Sequence, residues 1–163
     1  MAALSNYIDE QSLKDNNIEV LYPKKHTASS YKKKILIIED DKDMADIILL
    51  LLNQKNPNIE CTVVEDPYEA ILALADNKFD YVLVDQRLPG LTGSSVLREV
   101  DHYVDQDPVI IESGHYNGSI PVVVMSGSDI PAGALKTDLK HFSIIQFVKK
   151  NDIARFISAF PIN

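Results

Sequence analysis

Four short apolar runs in this chain of 163 residues stop at side chains that can do chemistry. Tyr81 to Val84 ends in Asp85, and Leu88-Pro89-Gly90 keeps the extended segment from continuing. Ile35 to Ile38 breaks into Glu39, Asp40 and Asp41; Pro121 to Met125 closes on Ser126-Gly127-Ser128; Ser143 to Val148 is followed by Lys149 and Lys150. Taken singly these endings are ordinary: an Asp opens a loop, a Ser makes a turn, a terminal Lys is a solvated charge. At the carboxyl ends of parallel strands they would share one rim, the edge at which open α/β sheets bind ligands.

Three carboxylates at one rim repel one another and raise each other's pKa, so the fold needs a counter-charge. A hard dication supplies it. Mg2+ accepts a few carboxylate oxygens with carbonyl and water and leaves positions for phosphate, whereas Ca2+ prefers more protein oxygens and Zn2+ wants His or Cys. His26, His102, His115 and His141 share no ligand spacing. An Asp beside a bound dication can attack a phosphoryl donor and form an aspartyl phosphate. The phosphoryl oxygens then want a metal, a lysine ammonium and a hydroxyl or backbone N–H as partners. Asp85 fits the nucleophile, Glu39 and Asp40 the acidic cluster, Ser126 the hydroxyl, and Lys150 or Lys149 the ammonium.

The segments between these ends must hold them in place. Ile35–Ile38, Ile59–Val64, Phe79–Val84, Pro121–Met125 and Ser143–Val148 read as strands. Asp43 is read as the cap of a helix that runs through Met44, Ile47, Ile48 and Leu51 and stops at Asn56-Pro57. Asp66-Pro67 opens a helix with Ala70, Ile71 and Leu74 on one face, and Ser94 to Val104 buries Val96, Leu97 and Val100. The connection Asp105 to Ser119 is long and is read as carrying a helical turn around Val109 to Glu112. Pro131 to His141 is a weaker helix, its propensity lowered by Gly133 and Thr137, and Asp152 to Phe160 is a last amphipathic one. Such alternation with right-handed crossovers makes a doubly wound parallel sheet with helices on both faces. Residues 1–33, with a short helix over Leu4 to Leu13, an extended piece over Ile18 to Tyr22 and lysines around Thr-Ala-Ser-Ser, read as an N-terminal extension with little core. Residues 34–163 read as the domain.

Composition narrows the partners. With 16 Lys plus Arg against 24 Asp plus Glu the net charge is −8, and such a surface repels nucleic acid and anionic membranes. The one cysteine, Cys61, cannot make an internal disulfide and reads as core packing. There is no basic-then-apolar leader, and the longest apolar run, Ile47 to Leu52, is too short to span a bilayer. The cytoplasm is the expected compartment, without membrane insertion.

From Lys34 to about Phe160 the chain resembles the receiver domain of two-component response regulators, a stand-alone, chemotaxis-regulator-like one. The motifs ILIIEDD, VLVDQRLPGLTG, PVVVMSG and FVKKND stand in family order. The resemblance implies a flavodoxin-like five-stranded parallel sheet of order 2-1-3-4-5 with the site at its rim. It implies Asp85 as phosphoacceptor, Asp40 as a direct Mg2+ ligand beside Asp85, Glu39 as an acidic partner through water, and the backbone carbonyl of Arg87 completing the metal site. Ser126 becomes the switch hydroxyl, Phe147 the switch aromatic, and Lys150, three residues after that aromatic, the phosphate-binding lysine. Arg87 and Ser128 fall where the family controls dephosphorylation. Asn151 stands where a proline often follows the lysine, Thr92 where an Asp is common, and the Asp105–Ser119 connection is enlarged.

The function so implied is a phosphoacceptor switch of a two-component or phosphorelay pathway. It takes phosphate from a sensor histidine kinase or a histidine phosphotransfer protein and reshapes a face for a downstream protein target. No nucleic-acid partner and no enzyme activity are expected, beyond Mg-dependent self-phosphorylation and slow self-dephosphorylation. No output domain is expected after the last helix, and a homodimer through the fourth-helix to fifth-helix face is compatible. Two alternatives stay open. One is a receiver-like interaction module that never uses phosphate. The other is a haloacid-dehalogenase-type phosphatase, which wants a second Asp where this chain has Arg87.

Overall fold

The computed structural model describes residues 32–107, 116, 118–129 and 138–162, all within one compact unit that begins at Lys32. The readings for residues 1–31, for a turn over 109–112 and for a helix over 131–137 lie outside these residues. Asp138 to His141 are not helical, so no helix runs through to His141.

Five strands form one parallel sheet: β1 (Lys34–Ile38), β2 (Glu60–Val64), β3 (Tyr81–Asp85), β4 (Ile120–Ser126) and β5 (Phe142–Lys149), in the order β2-β1-β3-β4-β5. This is the expected flavodoxin-like order. The inner strands are nearly unbroken Val, Ile, Leu and Met because both of their faces are covered. Helices α2 (Pro67–Asp76) and α3 (Gly93–Gln106) pack together, in one core with Leu36, Ile38, Val82, Val84, Val122 and Val124. Helices α1 (Lys42–Lys55) and α4 (Ile153–Ala159) do the same with Ile35, Ile37, Leu83, Val123 and Met125. Alternate residues of each strand thus serve opposite layers.

One detail of α1 differs from the sequence reading. Its cap is Asp41, whose Oδ1 accepts the Met44 N–H at 3.2 Å, while Asp43 lies in the first turn. Its buried residues are Ala45, Ile48 and Leu52, and Ile47 is 47% exposed. The run Ile47–Leu52 is apolar around the whole cylinder, so periodicity alone does not choose the inward face. Lys55 then reaches across to α4, where its Nζ donates to the carbonyls of Ile157 (2.9 Å) and Ser158 (2.7 Å). A cation there satisfies carbonyls that the helix leaves unpaired and faces the negative end of its dipole.

The pairing of β5 with β4 carries an irregularity: Val122 faces Ile144, but Val123 faces Gln146. The extra residue, Ile145, shifts the phase of the strand by one position. Phe147 thereby joins Val124 on the α2–α3 side and Val148 joins Met125 on the α1–α4 side. Entry into β5 is set by α3. The buried Asp101 carboxylate accepts the backbone N–H of Lys140 at 3.0 Å and of His141 at 2.7 Å. Next to it the Tyr116 hydroxyl donates to the Leu74 carbonyl at 2.6 Å, and its ring stands edge-on to His141 and Phe142.

Asp101→Ala leaves both of those N–H groups without their acceptor. The expected loss of stability is about 1–3 kcal/mol, seen as a lower urea midpoint with an unchanged slope.

Candidate functional site

The parallel register of β1 with β3 sets Ile38 beside Val84, so the chain leaves both strands side by side at their carboxyl ends. Glu39, Asp40 and Asp85 each offer a carboxylate oxygen there, all within 4.8 Å of one another. Glu39 is wholly buried, Asp85 is 3% exposed and Asp40 is open to solvent, which makes Asp40 the mouth of the cluster.

Lys150 closes it. Its Nζ donates to Glu39 Oε1 at 2.7 Å and to Asp85 Oδ2 at 2.8 Å, joining residues 111 and 65 positions apart. The Asp41 N–H adds a bond to Glu39 Oε1 at 3.2 Å and the Arg87 N–H one to Asp85 Oδ1 at 3.1 Å. Burial raises the pKa of Glu39 above 4.5; the Lys150 ammonium offsets part of this and the Asp85 charge adds to it. For Lys150, burial works against the charged form, yet the bonds to Asp85 and Glu39 outweigh it and the pKa rises above 10.5.

Which of the two lysines faces the cluster follows from the end of β5. Lys149 is the last strand residue, in register with Ser126, and its side chain turns out to pair with Asp129. A single 3-10 turn, Lys150–Asp152, then redirects the chain and sends Lys150 inward.

The donor set fits a hard dication. It consists of oxygens, without His or Cys among the described residues of the cluster, and one ammonium faces three carboxylates. Glu39 Oε2 is buried without a hydrogen-bond partner among the described residues. A buried acceptor of that kind costs free energy unless something donates or coordinates to it.

The side chains of the remaining predicted residues lie around this cluster, and among the described residues they make no hydrogen bond to its carboxylates. Ser126 is the buried last residue of β4, and its Oγ accepts the Ser128 N–H at 3.3 Å rather than bonding to Asp85. Phe147 is half-buried beside the α2–α3 core. Arg87 is exposed, with its guanidinium 3.6 Å from the point where a Gly127 Cβ would stand. Thr92, at the position noted as a departure, caps α3 by accepting the Ser95 N–H at 3.1 Å. Cys61 is half-buried on β2, where burial pushes its thiol up to about 11, so it stays an unreactive thiol.

Two supports escaped the sequence reading. A Cβ on Gly93 would lie 2.4 Å from the Asp85 carbonyl oxygen and 2.6 Å from Val84 Cγ2, so only glycine lets α3 start hard against the end of β3. Ser94 Oγ donates to Gln86 Oε1 at 2.8 Å and pins the residue between Asp85 and Arg87. The signal available was the glycine immediately before the helical pattern.

A doubly wound α/β domain with buried carboxylates and a lysine at the carboxyl rim of its sheet places the chain among α/β domains that bind ligands at that rim. The chain belongs to the response regulator receiver domain family, whose model matches residues 35–152. It is 34% identical over 119 residues to the uncharacterized transcriptional regulatory protein YkoG of Bacillus subtilis, covering 73% of this chain and 49% of that one. It is 30% identical over 67 residues to the DNA-binding response regulator MtrA of Mycolicibacterium paratuberculosis, covering 41% of this chain and 29% of MtrA. In structure it resembles the phosphorylated cyanobacterial phytochrome response regulator RcpA, with a TM-score of 0.57, 24% identity and 78% and 89% of the two chains covered. The chain therefore spans about half or less of these curated relatives. DNA binding is named for MtrA, which stands against the expectation, drawn from net charge, that this chain has no nucleic-acid partner.

Receiver domains are in general signalling domains rather than enzymes, and they bind Mg2+ at an acidic pocket. Glu39, Asp40 and Asp85 form an acidic cluster of that kind. Among the described residues no helix is long and apolar enough to cross a membrane.

Lys150→Met removes the ammonium and strands two buried carboxylates. Breaking such a pair costs about 3–5 kcal/mol, and the lower end is expected here at neutral pH, without metal. The pKa of Glu39 is raised on folding, so its contribution to stability is present below 4.5 and lost as pH rises through the folded value. Without Lys150 that loss deepens, so the deficit shrinks as pH falls and Glu39 takes up its proton. Urea unfolding at several pH values measures it.

Proposed function

We propose that this chain is a phosphoacceptor receiver of a two-component or phosphorelay pathway, in which phosphorylation of Asp85 switches a protein-binding face. The observation that carries the reading is the Lys150 ammonium, 2.8 Å from Asp85 and 2.7 Å from Glu39, with the buried Oε2 of Glu39 left unpartnered beside it. Glu39, Asp40, Asp85 and the backbone carbonyl of Arg87 would hold Mg2+. When bound, the ion neutralises charge on the phosphoryl oxygens and lets an anionic donor approach an anionic pocket.

One Asp85 carboxylate oxygen forms the bond to phosphorus while the P–N bond of a phosphohistidine donor breaks. The electron pair leaves on the imidazole nitrogen. Lys150 transfers its hydrogen bond from the Asp85 carboxylate to a phosphoryl oxygen. Ser126 gives up the Ser128 N–H and donates a hydrogen bond from its hydroxyl to another. About 1.5 to 2 units of negative charge now sit where there was one carboxylate. The space that Ser126 vacates is filled by Phe147, which lines a groove of 490 Å³ with Arg155, Phe156 and Phe160 between β5 and α4. A downstream protein reads that change. Coupling of about 1–3 kcal/mol is the usual scale for such a bias.

The partners in this reading are a sensor histidine kinase or histidine phosphotransfer protein and a protein target, in a cytoplasmic setting, with residues 1–33 as an extension to the receiver. A nucleic acid is a poor partner for the acidic chain itself. Arg87 and Ser128 are assigned to control of phosphate loss. With Arg87 over Gly127, its cation shields the phosphoryl group from water and lengthens its lifetime.

Acetyl phosphate with Mg2+ tests the proposal. A single hydroxylamine-sensitive phosphoryl adduct is expected on the wild type and none on Asp85→Asn or in the presence of EDTA. Rapid turnover without accumulation would indicate a phosphatase, and no adduct under any condition would leave an interaction module. Mg2+ alone should raise the melting temperature, by about 2.7 kcal/mol of stability at a hundred times its Kd, and Asp40→Asn should remove most of this. Arg87→Asn should shorten the adduct's lifetime several-fold; an unchanged decay rate retires the role given to Arg87.

A further inference from the structure

The two adjacent lysines at the end of β5 do different work. Lys150 turns inward to the carboxylates, while Lys149 turns outward and its Nζ pairs with an Asp129 carboxylate oxygen. Asp129 lies three residues past Ser126, and Ser126 is the residue in register with Lys149 on the last rung between β4 and β5. The ion pair therefore ties the loop that leaves β4 back onto the end of β5. Inside that loop the Ser128 N–H donates to Ser126 Oγ at 3.3 Å, so the hydroxyl is engaged by its own loop. Lys149 also feels the Asp152 charge from the turn after β5, but its hydrogen bond is to Asp129.

We propose that the Lys149–Asp129 pair is a latch that holds the Ser126 loop in its phosphate-free arrangement and thereby slows phosphate uptake at Asp85. For Ser126 to reach a phosphoryl oxygen, its Oγ must leave the Ser128 N–H. A loop anchored at Asp129 resists that movement. Lys149 and Asp129 are positioning residues; neither is among the groups that meet the phosphoryl group. Both side chains are solvent-exposed, so the bias is small and is weakened by salt. The latch itself stands on the geometry alone, whereas its effect on uptake rests on Asp85 being the phosphoacceptor.

The test uses the full chain with Asp129→Asn, Lys149→Gln and the exchanged pair Asp129→Lys with Lys149→Asp. Hydrogen exchange of the Ser128 amide reads the loop without phosphate or metal. The initial rate of adduct formation from acetyl phosphate with Mg2+ reads the site. Either single substitution should speed both by roughly two- to fivefold, the range of an exposed pair. The exchanged pair should return both toward wild type. Molar salt should move the wild type toward the single variants and leave those variants unmoved. Ser128 exchange that is the same in all four proteins overturns the latch. Faster exchange with unchanged uptake overturns the bias. A wild type that takes no phosphate sinks the phosphoacceptor reading and the bias with it, while Ser128 exchange still decides the latch by itself.

Discussion

One ammonium between two buried carboxylates is the interaction on which the rest of this molecule depends. Lys150 comes from the far edge of the sheet, Glu39 from β1 and Asp85 from β3, and the three meet within hydrogen-bond distance. Left alone, each carboxylate would be too costly to keep ionised out of water. Held together by the ammonium, they still do not fill their capacity: among the described residues Glu39 Oε2 has no partner, and Asp40 stands open at the mouth. A buried ion pair of this sort adds little net stability compared with apolar packing. In the function proposed above, its use is to keep the phosphoacceptor carboxylate poised at the rim.

The architecture can be traced back from that point. The order β2-β1-β3-β4-β5 makes β1 and β3 neighbours, and this alone brings Glu39 beside Asp85. The absence of a side chain on Gly93 lets α3 begin against the Asp85 carbonyl, so the strand end is backed by a helix rather than a loose loop. The irregularity at Ile145 sets the phase of β5 and hence where Phe147, Val148 and the two lysines fall. Asp101 fixes where β5 starts, and Lys55 ties the end of α4 to α1. Each is a local contact whose consequence is felt at the carboxyl rim.

Much of this was legible in the residues. Strand ends that switch within one position from Val or Ile to Asp, Glu or Ser carry their own meaning, and Asp66-Pro67 announced α2 as clearly as any helix start. Lys150 could be separated from Lys149 only through family spacing, because its direction depends on a bulge and a 3-10 turn, neither of which leaves a mark in the apolar pattern. The inward face of α1 was not legible in Ile47–Leu52, since six leucines and isoleucines in succession fit any face. The cap was placed at Asp43 instead of Asp41 because Glu39-Asp40-Asp41 and Asp43 offer several capping carboxylates in one short stretch. Long-range polar contacts such as Asp101 with the start of β5 or Lys149 with Asp129 have no local signature, since each side chain taken alone is an ordinary surface charge.

The most direct test of the central claim is fluorine NMR of the protein with beryllofluoride, a phosphoryl mimic, titrated with Mg2+. Bound fluorine resonances at one equivalent per chain should appear only when Mg2+ is present, and should vanish in Asp85→Asn. Bound resonances that persist in Asp85→Asn, or none in the wild type at saturating Mg2+, would contradict a phosphoryl site built on Asp85.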